Sequence, residues 1–148
     1  MSLTTFLTES NAIEGIHRAP TAGEIEASAH FLSLPKVGLD EICAVQAIYA
    51  PGMPLRTQLG MNVRVAAHIP PPGGMAIAGA LGNIAARVSA GSDPWDMHVE
   101  FETLHPFMDG NGRTGRILWA WNMKRTMQNP FALSFLHRWY YQTLASVR

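Results

Sequence analysis

The sequence predicts a mainly α-helical bundle that carries one small β-hairpin. Apolar residues recur at three- and four-residue steps through most of the chain, as in helices that bury one face. Between Leu55 and Ile69 the period drops to two, as in a strand. Prolines and glycines punctuate the seams, and no repeat, linker or low-complexity stretch divides the chain, so residues 1–148 are expected to form a single domain.

Apolar spacing from Phe6 to Ile13 predicts a first helix over about residues 3–14, stopped near Gly15. In PTAGEIEASAHFL, Thr21 and Glu24 have capping-box spacing and Ile25, Ala29 and Leu32 follow on one face, which predicts a second. Leu39, Ile42, Val45 and Ile48 predict a third, which Pro51 and Pro54 prevent from continuing. In MNVRVAAHI, Met61, Val63, Val65 and Ile69 alternate with Asn62, Arg64 and His68, and with LRTQL before it the stretch is expected to form the hairpin. After PPPGG, helical spacing returns through Ile77, Leu81, Ile84 and Val88. Asp93 as N-cap, Pro94 at the first helical position and Asp96 in the first turn open the next helix, which runs through Val99, Phe101 and Leu104 until Pro106 ends it at His105. A further helix from about Gly112 carries Ile117, Leu118, Trp121 and Met127 up to Asn129 and Pro130, and SFLHRWYYQTLASV is expected to form a last, aromatic-rich one.

The formal net charge is zero and basic residues are scattered, which leaves no electrostatic footprint for nucleic acid. Cys43 is the only cysteine; it fits a reducing compartment and reads as a small buried residue on a helix. The N-terminus has no secretory pattern and no window approaches about eighteen apolar residues, so a soluble cytoplasmic protein without membrane contact is expected. Hydrophobic residues make up 47% and charged ones 15%, a balance that suits tight helix packing or an apolar surface for a partner, and leaves a homo-oligomer open.

Chemistry concentrates in HPFMDGNGRTGR, residues 105–116. Gly110 and Gly112 free the backbone so that main-chain N–H groups can converge, and the start of the following helix adds unpaired N–H groups and a dipole, which together suit an anion. Arg113 and Arg116, three apart, can clamp two phosphate groups. Asp109 would repel phosphate unless a cation lay between, and Mg²⁺ typically binds through one or two carboxylates plus phosphate oxygens. His105 is the group there able to accept a proton near neutral pH, and Phe107 is expected to point into the core and fix the loop. The parts suggest a Mg²⁺-bound polyphosphate beside a general base.

The string resembles the signature of the Fic family (filamentation induced by cyclic AMP), His-Pro-Phe-x-Asp/Glu-Gly-Asn-Gly-Arg-x-x-Arg, with every specified position filled. The resemblance implies an all-α Fic fold with a β-hairpin flap, covering nearly the whole chain. It implies transfer of AMP from ATP to a Ser, Thr or Tyr hydroxyl of a target protein, with Mg²⁺ as cofactor. On that pattern His105 is the general base, Asp109 the Mg²⁺ ligand, and Gly110, Asn111 and Gly112 the nest for the α- and β-phosphates. Arg113 then holds the β-phosphate and Arg116 the γ-phosphate. Death-on-curing relatives carry lysine where Gly112 stands, so the glycine disfavours transfer of the γ-phosphate. The flap, including Asn62, Val63, Arg64 and Val65, is expected to dock the target by strand addition.

Upstream, SNAIEG resembles the inhibitory motif Ser/Thr-x-x-x-Glu-Gly/Asn of Fic proteins that carry an inhibitory helix at the N-terminus. Ser10 and Glu14 are its marked positions, and Glu14 is expected to pair with Arg116 in a partly buried ion pair that costs about 3 kcal/mol or more to break from one side. The main expectation is therefore an autoinhibited protein adenylyltransferase. The alternatives are a hydrolase that removes AMP, a transferase of another nucleotide, and a non-catalytic nucleotide-binding module.

Overall fold

In the computed structural model, which describes residues 2–132, 140, 143–145 and 147, the helices follow one another as α1 Leu3–Ile13, α2 Ala22–Ser33, α3 Leu39–Tyr49, α4 Ala76–Ser89, α5 Pro94–Leu104 and α6 Asn111–Arg125. The last, aromatic-rich helix expected from the sequence falls mostly outside the described residues. Among the described residues no helix is long and apolar enough to cross a membrane.

The starts follow from local chemistry. Ser2 caps α1 by accepting from the Thr5 N–H, Thr21 and Glu24 form the expected capping box at α2, and Asp93 caps α5 with Pro94 in its first turn. α6 is the hub, touching α1, α2, α3, α4 and α5. It is buried on most of its faces, as a central helix must be, and Ile117 and Ala120 are fully enclosed with Ile42, Leu81 and Phe101. Trp121 donates its indole N–H to the Leu34 carbonyl at 2.9 Å, satisfying its one polar atom inside the core.

The expected hairpin between Leu55 and Ile69 contracts to a tight turn. Among the described residues no strand ladder forms there; Val65 and His68 make one isolated bridge, and Leu55 bridges instead to Phe107. The alternation survives in burial only from Met61 to Val65, where Met61, Val63 and Val65 are half-buried while Asn62 and Arg64 are exposed; it reverses beyond, with His68 half-buried and Ile69 71% exposed. Period two reports an extended segment lying on a surface, and says nothing of a partner strand. Ile48, placed on the buried stripe of α3 by its spacing, is 46% exposed.

Glu24 ties α1 to α2. Its carboxylate is buried and accepts from Asn11 Nδ2 at 3.2 Å, Arg18 Nη2 at 2.7 Å and the Thr21 N–H at 3.3 Å. Burial alone would raise its pKa, but the hydrogen bonds from Arg18 and Asn11 outweigh this and hold it below its ordinary 4.5. The ionised form therefore stabilises the fold at neutral pH, and that contribution fades as pH falls below 4.5 through the lower folded value. Urea midpoints of wild type and Glu24→Gln, measured across pH, are expected to differ most at neutral pH and to converge in acid; a gap independent of pH contradicts this reading.

Candidate functional site

The segment joining α5 to α6 is held by its own residues. His105 ends α5 in the left-handed region, at φ 50 and ψ 63, a strained setting for a non-glycine residue, and its N–H still bonds the Phe101 carbonyl at 2.9 Å. Phe107 is buried, as expected. Both of its main-chain groups are taken by the Asn111 side chain, which accepts from the Phe107 N–H and donates to the Phe107 carbonyl, each at 2.8 Å. Asn111 thus serves the loop with its side chain and leaves only its main-chain N–H to a ligand. Gln46 Nε2 holds the Asp109 carbonyl at 3.0 Å.

Gly110 is required twice over. Its φ of 77 favours glycine, and a Cβ there would lie 2.8 Å from the Cβ of Ala50. The first helical bond of α6 runs from the Thr114 N–H to the Gly110 carbonyl at 3.0 Å, so the N–H groups of Asn111, Gly112 and Arg113 precede it as the unpaired first turn. They form an anion-binding corner at the positive end of α6.

An anion from the chain already sits there. Glu14, at the C-terminal cap of α1, accepts from Arg116 Nη2 at 2.6 Å. A Cβ on Gly112 would overlap Glu14 Oε1, so the carboxylate lies directly over the first turn of α6. Ser10 holds the same guanidinium, its Oγ accepting from Arg116 Nε at 2.7 Å and its carbonyl from Nη2 at 2.9 Å. The two marked positions of SNAIEG therefore converge on Arg116. Burial disfavours the Arg116 charge, but Tyr140, Glu14 and Glu102 outweigh it and hold the pKa above its ordinary value.

The two arginines are not equivalent clamps. Arg113 is 8% exposed and donates Nη1 to the Tyr49 carbonyl at 2.7 Å, so part of its fork closes the end of α3. Arg116 is 1% exposed with α1 folded over it. Their spacing alone suggested two open forks, whereas packing has engaged each one differently.

His105, Glu14, Gly112, Arg116 and Val65 line one cavity of about 50 Å³, closed further by Glu102 and Tyr140. Small-molecule sites usually span about 300–1,000 Å³. The cavity with Glu14 in place is thus smaller than such sites usually are. Of the flap residues only Val65 reaches this cavity. Asn62 Oδ1 instead accepts from the Gly73 N–H at 2.9 Å, Arg64 Nε donates to the Ala66 carbonyl at 2.8 Å, and Val63 is half-buried. Asp109 is exposed, with Oδ1 accepting from the Gly110 N–H at 2.7 Å.

Sequence reasoning gave no role to three residues of this region. Glu102 is buried, with Oε2 3.9 Å from His105 Nδ1. The Tyr140 ring lies 5.3 Å from the Arg116 guanidinium, and its hydroxyl is 2.6 Å from His98 Nε2. Arg56 is fully buried beneath His105. Glu102 could have been noticed one helical turn before His105; the other two meet the site only through folding.

A family model described as the Fic/DOC family matches residues 38–123, more than half of the 148-residue chain. The match spans α3 to the body of α6, including the whole segment from His105 to Arg116, and begins after α1 and α2.

Proposed function

Because this chain belongs to the Fic/DOC family, known for AMPylation-type transferases, we propose that it is an autoinhibited protein adenylyltransferase. In this reading it moves AMP from ATP to a Ser, Thr or Tyr hydroxyl of a target protein. The observation that carries it is the seating of Glu14 on Arg116 over the first turn of α6, inside the cavity that His105 lines. A carboxylate from α1 holds the place a phosphate would take.

The chemistry asked of each residue is modest. The Nε2 of His105 accepts the proton of the incoming hydroxyl as its oxygen attacks the α-phosphorus; the bond to the β-phosphate breaks and pyrophosphate leaves. Glu102 behind the ring favours the imidazolium that forms. The N–H groups of Asn111, Gly112 and Arg113 stabilise charge on the phosphates without reorganising. Arg116, once released by Glu14, binds the terminal phosphate, and the part of the Arg113 fork not given to Tyr49 binds the β-phosphate. Asp109 fits Mg²⁺, since a single exposed carboxylate beside a phosphate site matches the way that ion is usually held; bound there, it would neutralise phosphate charge.

The test uses ATP labelled at either end. Glu14→Gly incubated with lysate or with itself is expected to place label from the α-phosphate on protein, to place none from the γ-phosphate, and to lose the α-label when His105→Ala is added. Label from the γ-phosphate would point to a kinase, and label that survives His105→Ala would remove the proposed base. A second reading, hydrolytic removal of AMP, is favoured by one observation: the Glu14 side chain is 31% exposed beside the cavity, where it could orient a water. Loss of AMP from a modified target with wild type but not with Glu14→Gly would select it.

A further inference from the structure

Arg56, like Arg116, is a fully buried arginine, and its guanidinium donates to main-chain carbonyls alone. Nε reaches the His105 carbonyl at 2.8 Å and Nη2 the Leu104 carbonyl at 2.9 Å, both at the negative end of α5. Nη1 reaches the Met61 carbonyl at 3.1 Å and the Pro71 carbonyl at 2.8 Å, one on each side of the flap turn. Its main chain repeats the pattern, the N–H bonding the Pro106 carbonyl at 2.9 Å and the carbonyl accepting from the Gly74 N–H at 2.9 Å. One planar fork therefore spans the residue that holds the base and the segment that faces it.

We infer that Arg56 is a positioning residue which fixes the flap relative to His105, so that a hydroxyl docked on the flap meets the imidazole at reacting distance; this rests on the transferase reading above. Two facts support a positioning role over a general packing role. His105 is in a left-handed conformation that its neighbours must impose, and the Arg56 bond to its carbonyl is one of those constraints. A lysine would keep the charge but could not span both pairs of carbonyls, because it lacks the planar fork. None of these four Arg56 bonds reaches Asp109, the first turn of α6 or Arg116, so nucleotide binding is expected to be separable from transfer.

Gly73 gives an independent handle on the same link. A Cβ there would lie 2.5 Å from the Met61 carbonyl oxygen and 2.6 Å from that of Gln58, so Gly73→Ala forces a shift of the backbone on which the Met61 carbonyl meets Arg56, without changing the Arg56 side chain. In the Glu14→Gly background, Arg56→Lys is expected to lower kcat for protein labelling by about 100-fold, the scale of a 1 Å misplacement. The Kd for a non-cleavable ATP analogue should stay within about twofold of the parent, since the nest is untouched. Gly73→Ala should lower kcat in the same direction, and the double variant should fall well short of the product of the two losses, because both break one link. Labelling by Arg56→Lys at the parent rate, nucleotide affinity lost in step with kcat, or multiplicative losses would each overturn the inference.

A readout that needs no turnover keeps the two readings apart. Gly73→Ala in the wild-type chain is expected to move the His105 ring resonance in NMR spectra, and to leave it unmoved when Arg56→Lys is already present. An unmoved resonance in the single variant overturns the positioning role whether or not AMP is transferred. A moved resonance with no labelling by Glu14→Gly upholds the link and overturns the transferase reading.

Discussion

Glu14→Gly is expected to raise AMP transfer over wild type by roughly 10- to 150-fold, the equivalent of the ~1.5–3 kcal/mol typical of a hydrogen bond to a charged group. The bond at stake is Arg116 Nη2 to Glu14 Oε1 at 2.6 Å, and the same substitution empties the space above Gly112. The upper figure is not expected to be exceeded. Arg116 is fully buried while the Glu14 side chain is 31% exposed, a partly buried pair as the sequence led one to expect, and that exposure weakens it relative to a fully enclosed one. Ser10 also stays in place and keeps Arg116 through its hydroxyl and its carbonyl. Ser10→Ala alone should therefore raise transfer by less than Glu14→Gly. Initial rates of α-label incorporation at fixed ATP, compared across the three proteins, check the order; equal rates in wild type and Glu14→Gly would sink the inhibitory role of α1.

The parts of this site that could be read in the sequence are those built from neighbours in the chain. The Thr21–Glu24 box and the Asp93–Pro94 start were legible because capping is settled within four consecutive residues. The loop from His105 to Arg116 was legible because its chemistry lies in one run, and the Glu14 partner could be named because SNAIEG resembles a known motif. What escaped is what long-range packing decides. Arg56 donates to carbonyls from Met61, Pro71, Leu104 and His105, and a carbonyl leaves no trace in residue identity. The role of the Asn111 side chain, which closes the loop on Phe107, also escaped, although its main-chain N–H stays at the first turn of α6. The hairpin failed for a related reason: alternation fixes which residues face the surface, while a ladder also needs a second strand in register.

Gly115→Ala is expected to destabilise the protein by about 2 kcal/mol, although helix propensity by itself argues the reverse. Alanine in a helix interior is worth about 1 kcal/mol over glycine. At Gly115, however, the added Cβ would overlap Glu102 Oε1 and lie 2.9 Å from Phe101 Cδ1 and 3.1 Å from Cε1. Neither neighbour can withdraw cheaply, because Phe101 is fully buried in the core and Glu102 is a carboxylate only 2% exposed. Overpacking of this kind costs about 1–3 kcal/mol, and displacing a buried carboxylate adds to it, so the clash outweighs the propensity gain. For a chain of this size the melting temperature should fall by roughly 4–8 °C. Transfer by Glu14→Gly should fall too, because α5 carries both Glu102 and the turn into His105. Gly79 supplies the opposite sign on the same reasoning. It lies exposed in α4 with nothing within 4 Å of its added Cβ, so Gly79→Ala should stabilise by up to about 1 kcal/mol. Thermal melts of the two alanine variants that shift in the same direction would show that close approach of α5 to α6 at Gly115 does not govern the outcome.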